Sequence, residues 1–327
     1  MTQDLLLAGL GLVILLLAGD SLVRGAVNTS LRLGIPALIV SLTIVAFGTS
    51  APELLIAVAA IKDNAPGIAL GNVVGSNTAN ILMVLGLPAL LAGLQTSQCE
   101  TRKTYLVMLA VSIFFIGICF TGPLTWMHGL VLLAVLAVIL FDQAREALAH
   151  RRANGALTAE ENEEEEVEGA DPEMGWPKIA VFLILGLIGL PLGADLLVDS
   201  SVSLARTFGV SETVIGLTLV AIGTSLPELA TTVMAAYRRQ ADVALGNVIG
   251  SNMFNLLAII GIATMVGPIP IDATFLRFDL WVMLGASLLL APFVFSSTRD
   301  MGKTWGLIFT GVYAAYLWMV VEMGGGL

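Results

Sequence analysis

The chain has 327 residues, of which 57% are hydrophobic and 12% charged, whereas a soluble globular domain carries roughly 25% charged residues. A soluble protein is therefore excluded, and the bilayer must be the solvent for most of the length. Nine of the 25 acidic residues lie between Glu160 and Glu173, so the net charge of −10 falls to −1 elsewhere, no basic stripe is left for nucleic acid, and Cys99 and Cys119 have no disulfide or thiolate-metal spacing.

The N-terminal Met-Thr-Gln-Asp has no positive segment ahead of the apolar run from Leu5 to Leu17, so a first spanning helix is expected and not a cleaved signal. Apolar windows of about twenty residues, bounded by charges and by Gly/Pro punctuation, then predict spans near 4–26, 36–61, 68–93, 104–121 and 125–146. Five more follow near 178–205, 211–236, 243–266, 277–296 and 302–322. The runs are apolar on all sides, which excludes the alternating strands of a membrane β-barrel and leaves helices. The fold class expected is all-α integral membrane with ten transmembrane helices. Between the fifth and sixth spans, Gln143 to Pro177 contains the run Glu163-Glu164-Glu165-Glu166. Such like-charge blocks are solvated tethers, and a calcium-sensing linker is the alternative, although the run lacks ligand spacing.

With ten spans, one side of the membrane receives twelve of the fifteen basic residues, from Arg24 and Arg32 through Arg238 and Arg239 to Lys303. The other side receives Lys62, Arg206 and Arg277. By the positive-inside rule both termini face outside or periplasm, and the acidic loop is cytoplasmic in a plasma or inner membrane.

Self-comparison finds a duplication. Phe47-Gly48-Thr49-Ser50-Ala51-Pro52-Glu53-Leu54 matches Ile222-Gly223-Thr224-Ser225-Leu226-Pro227-Glu228-Leu229 at an offset of 175. The same offset carries Ala69-Leu70-Gly71-Asn72-Val73-Val74-Gly75-Ser76-Asn77 onto Ala244-Leu245-Gly246-Asn247-Val248-Ile249-Gly250-Ser251-Asn252, Asn80 onto Asn255, and Asp20 onto Asp195. Five spans separate each element from its copy. Five is odd, so the copies are inverted, an arrangement that points to a secondary transporter with its site at the midplane. The organisation is a first five-helix repeat over 1–146 with its motif at 41–86, an acidic linker over 147–177, and a second repeat over 178–327 with its motif at 216–261.

Pro52 and Pro227 lack a backbone N–H and break helices 2 and 7, freeing the carbonyls of Gly48 and Gly223. Glu53 and Glu228 follow at a depth where a bare charge costs about 2.5–3.5 kcal/mol, with no lysine, arginine or histidine in either broken helix near them. Thr49, Ser50, Thr224 and Ser225 add oxygens. Neutral, protonated packing glutamates are the bland alternative. An all-oxygen set suits Ca²⁺, Mg²⁺ or Na⁺ over zinc or copper, and a flexible shell favours Ca²⁺. Ser76, Asn80, Ser251 and Asn255 read either as further ligands or as interhelical hydrogen-bonding residues. Asp20 and Asp195 lie near span ends, within reach of interface water, and fall outside the site. His128 and His150 carry no ligand signal.

The paired motifs, Gly48 to Glu53 with Gly71 to Asn77 and Gly223 to Glu228 with Gly246 to Asn252, resemble those of the calcium/cation antiporter superfamily, in particular its sodium/calcium exchanger group and the bacterial calcium/sodium antiporters. The resemblance implies that Glu53 and Glu228 bind Ca²⁺ and that Asn80 and Asn255 complete the central site. It also implies sodium sites formed by Thr49, Ser50, Thr224, Ser225, Ser76, Ser251 and the carbonyls of Ala46 and Ala221. Some relatives, including potassium-dependent exchangers, have aspartate at the Asn255 position. A neutral Asn255 speaks against potassium coupling and leaves protons as the rival to sodium.

The expected activity is Ca²⁺ export in exchange for Na⁺ by alternating access, the first and sixth spans swinging across the rest only when the site is occupied. A Ca²⁺/H⁺ antiporter is the alternative, and a cation channel a more distant one. The partners are the ions and the lipid bilayer, with no cofactor. No nucleophile–base pair or metal-bound water set suggests an enzyme.

Overall fold

The computed structural model describes residues 1–154, 171, 173–208, 221–273 and 275–324. Among these the chain is helical, and extended pairing is limited to two isolated bridges, Leu94 with Met301 and Leu124 with Ile269. Seven helices are long and apolar enough to cross a membrane, or eight when one bent pair is taken as a single span. The acidic run, most of the linker, and residues 211–220 of the expected seventh span, with the start of the second motif, lie outside the described residues.

Helix α1 (Thr2–Leu33) extends well beyond the expected 4–26 and stops at Gly34, whose φ of 65° is a left-handed cap. Polar residues near its end do not break it because their side chains bond back to their own helix, Thr29 Oγ1 donating to the Gly25 carbonyl at 2.7 Å. The bent pair is α2 (Ala37–Thr49) and α3 (Ala51–Lys62), which meet at 41°. Pro52 occupies the first turn of α3. It therefore starts a new half-helix, where its missing N–H costs nothing, instead of kinking a continuous one. Helices α4 (Pro66–Leu91), α5 (Arg102–Cys119) and α6 (Trp126–Asn154) follow.

The second half begins with α7 (Trp176–Thr207). The short α8 (Ala221–Gly223) turns through Thr224 and Ser225 into α9 (Leu226–Tyr237), with Pro227 again in the first turn. Then come α10 (Ala241–Val266), α11 (Phe275–Val294) and α12 (Lys303–Gly324).

Widened π turns interrupt three of these helices, at Ser41–Val45 in α2, Asn80–Val84 in α4 and Asn255–Ile259 in α10, and a fourth, Phe275–Asp279, opens α11. None of the four is marked by hydropathy or residue spacing. Such turns leave i→i−4 acceptors unused and tend to mark functional positions; here two of them open at Asn80 and Asn255.

Helices α4 and α10 are the most enclosed spans. Glycine sets how closely α10 approaches α2: a Cβ on Gly250 would lie 2.7 Å from the Leu42 carbonyl oxygen, and one on Gly246 2.9 Å from that of Leu38. The apolar interior falls into three clusters. Two surround α4 and α10, and a third, including Leu15, Ala18, Leu22, Leu190 and Ala194, belongs mainly to α1 and α7.

Candidate ion-binding site

Each broken helix delivers one glutamate, three residues past the break, to the interior. Glu53 and Glu228 are both fully buried. Ser50, at the break in α2/α3, donates to Glu228 Oε1 at 3.2 Å, tying one half of the chain to the carboxylate of the other. Both oxygens of Glu53, together with Oε2 of Glu228, have no hydrogen-bond partner. Carboxylates this deep cost several kcal/mol unless something of opposite charge joins them, and no group of three or more His, Cys, Asp or Glu side chains is present among the described residues. What remains is two acids in a shell of neutral oxygens.

The neighbours supply that shell. Thr49 donates to Asn247 Oδ1 at 3.2 Å and lies 3.5 Å from Ser251 Oγ. In the equivalent place Thr224 donates to Asn72 Oδ1 at 3.4 Å. Ser76 and Ser225 have buried hydroxyls with no partner. The Ala46 carbonyl accepts from the Ser50 N–H at 3.1 Å and from Thr49 Oγ1 at 3.3 Å. Ala221 opens the short helix before the second break.

The amides are organised by residues that the sequence motif contained but that were not picked as site residues. Asn77 donates to the Asn252 carbonyl at 3.2 Å, and Asn252 returns a bond to the Asn77 carbonyl at 3.3 Å. Asn80 donates to Asn252 Oδ1 and Asn255 to Asn77 Oδ1, both at 3.0 Å. Consequently the Asn80 and Asn255 amides spend their N–H on this network and keep Oδ1 free and buried. The interhelical reading and the ligand reading thus coexist in one side chain: the nitrogen joins helices and the oxygen is left over. Asn72 and Asn247 were likewise missed, and their exact duplication next to the glycines was the available signal. The four-asparagine network maps onto itself under the 175-residue offset, as do the Thr49–Asn247 and Thr224–Asn72 bonds.

Two acids among neutral hydroxyl and amide oxygens, with no cation partner among the described neighbours, are a donor set of the kind that suits hard cations. Asp20 stands apart from it, as expected, but it does not simply reach interface water: it pairs with Arg24 and Arg238.

The family described as sodium/calcium exchanger protein matches residues 4–144 and 178–322. The inner membrane protein YrbG of Escherichia coli (strain K12) is 33% identical over 311 residues, covering 95% of this chain and 94% of its own. The sodium/calcium exchanger MaX1 of Methanosarcina acetivorans is 34% identical over 349 residues, with 97% and 98% covered. Among solved structures, the sodium-calcium exchanger NCX_Mj soaked with Na⁺ and Sr²⁺ superimposes with a TM-score of 0.78 at 31% identity, covering 96% of this chain and 97% of that one.

Proposed function

The chain belongs to the sodium/calcium exchanger family, a family of membrane ion antiporters and not of enzymes, and from that premise we propose that it exports Ca²⁺ in exchange for Na⁺ through a site shared by two inverted five-helix repeats. The observation that carries the reading is the pair of fully buried glutamates, Glu53 and Glu228, each at the start of a half-helix and linked through Ser50, with three of their four carboxylate oxygens unpartnered. One Ca²⁺ balances two carboxylates, and its flexible shell of six to eight oxygens can draw on Thr49, Thr224, Asn80 and Asn255.

Several Na⁺ ions occupy the same region in the opposite phase of the cycle. Their ligands are the hydroxyls of Ser50, Ser225, Ser76 and Ser251, the threonine hydroxyls, and the carbonyls of Ala46 and Ala221. Because both cargoes need the glutamates, they cannot be bound together, and that competition produces exchange. The reciprocal asparagine bonds, with partners 175 residues apart, support the inverted repeat. The ten spans then comprise the helices described, with α8 and α9 completing a seventh span whose start lies outside the described residues. Twelve basic residues against three support a multi-pass inner-membrane protein with both termini outside and the acidic linker cytoplasmic.

The direct test is ⁴⁵Ca uptake into inside-out vesicles under imposed gradients. A sodium gradient is expected to drive accumulation, and a potassium gradient to have no effect because Asn255 is neutral. Accumulation driven by a proton gradient and indifferent to sodium would replace this reading with Ca²⁺/H⁺ exchange on the same scaffold. Unitary currents in planar bilayers would replace it with a channel.

A further inference from the structure

The two halves repeat the ion site but not the charges at its two ends. The offset of 175 carries Asp20 to Asp195, Arg24 to Asp199 and Asp63 to Arg238. The last two occupy equivalent backbone positions: each follows the final residue of a half-helix, α3 or α9. Their successors, Asn64 and Arg239, are both left-handed, with φ of 57° and 55°.

At one end the three positions are joined. Arg24 Nε lies 3.0 Å from Asp20 Oδ2, and the Arg238 guanidinium meets Asp20 Oδ1. The Arg238 side chain is 10% exposed and that of Asp20 19%, so the pair is partly withdrawn from water and is screened less than a surface ion pair. At the other end the equivalent residues, Asp63, Asp195 and Asp199, are all acidic and exposed, and no ion pair joins any of them among the described residues.

What the joined end fastens together follows from the packing. Helices α1 and α7 are in near backbone contact. A Cβ on Gly11 would lie 2.9 Å from the Gly193 carbonyl oxygen, one on Gly193 2.9 Å from the Leu15 nitrogen, and one on Gly186 2.9 Å from the Leu22 nitrogen. Small residues in such register hold two membrane helices as one body, and the two share an apolar cluster that also takes in Val40 and Val45 of α2 and Ala230 of α9. Asp20 sits on that body, and Arg238 ends the half-helix that carries Glu228.

We propose that Asp20, Arg24 and Arg238 form a latch that holds the α1/α7 pair against the Arg238 end of α9, keeping the ion site closed toward that face, whereas the all-acidic equivalent leaves the opposite face free to open. This rests on the proposed exchange cycle, in which α1 and α7 swing as a pair. In the proposed orientation the latch is cytoplasmic, and Asp20, Arg24 and Arg238 are positioning residues that contact no transported ion.

The test reads opening and not transport. Thr232, fully buried, is one helical turn from Glu228 toward Arg238, and Ala57 is its fully buried equivalent on the other side. In a background with Cys99→Ser and Cys119→Ser, Thr232→Cys or Ala57→Cys is labelled with a membrane-impermeant maleimide on purified protein in detergent. Arg238→Gln is expected to raise labelling at 232 roughly fivefold, the shift expected from losing an ion pair of ordinary strength, without raising it at 57. The charge-swapped pair Asp20→Arg with Arg238→Asp is expected to return the rate at 232 toward the parent value.

Asp20→Asn, which removes no bulk, gives the same answer where Arg238→Gln fails to give a monodisperse protein. An unchanged rate at 232, an equal rise at both reporters, or a swapped protein that labels like Arg238→Gln overturns the latch. Absence of ⁴⁵Ca exchange by the parent protein would overturn the exchange reading instead, and the labelling rates would still decide the latch.

Discussion

At the scale of single residues, the oxygens of Glu53 have no partner in the fold, so the carboxylate adds no hydrogen bond to its stability. Burying a neutral amide costs less than burying an unpaired carboxylate. Glu53→Gln is therefore expected to melt at or above the parent temperature in calcium-free buffer, while losing ⁴⁵Ca transport. The calcium-dependent rise in melting temperature, corresponding to about 2.7 kcal/mol at a hundredfold excess over the dissociation constant, should vanish as well. A Glu53→Gln protein that transports at the parent rate would remove Glu53 from the site. Asn252 should behave in the opposite way, because Asn252→Leu strands the Asn80 amide nitrogen and the Asn77 carbonyl. Each stranded buried group costs about 1–3 kcal/mol, and differential scanning should show a lower melting temperature with or without calcium. Asn255→Asp adds a carboxylate at a free amide oxygen and removes the N–H that Asn77 Oδ1 accepts, and its expected effect is changed ion selectivity in the gradient assay together with a lower melting temperature.

At the scale of elements, two half-helix breaks and the π turns do most of the positioning. The breaks were legible because proline after Gly-Thr-Ser is a local signal. The π turns were not, because an inserted residue leaves no mark in composition and depends on what packs alongside. The approach of α10 to α2 is the sharpest element-level test. A Cβ on Gly250 meets backbone and the Ala46 Cβ, atoms that cannot rotate aside, whereas one on Gly311 meets nothing within 4 Å. Gly250→Ala should cost about 1–3 kcal/mol by overpacking and lower the melting temperature and the yield of monodisperse protein. Gly311→Ala should be neutral. Equal behaviour of the two variants would mean that α2 and α10 are not packed as described.

At the scale of the whole molecule, helices from both halves supply the candidate site, and α1 and α7 pack along one another. The proposed orientation is checked by fusing a cytoplasm-dependent fluorescent reporter to the C-terminus. The fusion is expected to stay dark, and a periplasm-dependent phosphatase at the same place to be active. A bright fluorescent fusion would require an odd number of spans or the reverse orientation, and would move the latch to the other face.

The membrane as solvent, the helical class, the duplication and the two buried acids were legible from residues alone, because hydropathy, exact repetition and the cost of charge in lipid are properties of residue type and spacing. Three outcomes came from packing: which oxygens are left without partners, that Asn77 and Asn252 consume the amide nitrogens of Asn80 and Asn255, and that Asp20 on α1 reaches Arg238 at the end of α9. Those outcomes depend on which groups meet across helices far apart in the chain, and a hydrogen bond between residues about 175 positions apart has no local signature in either of them.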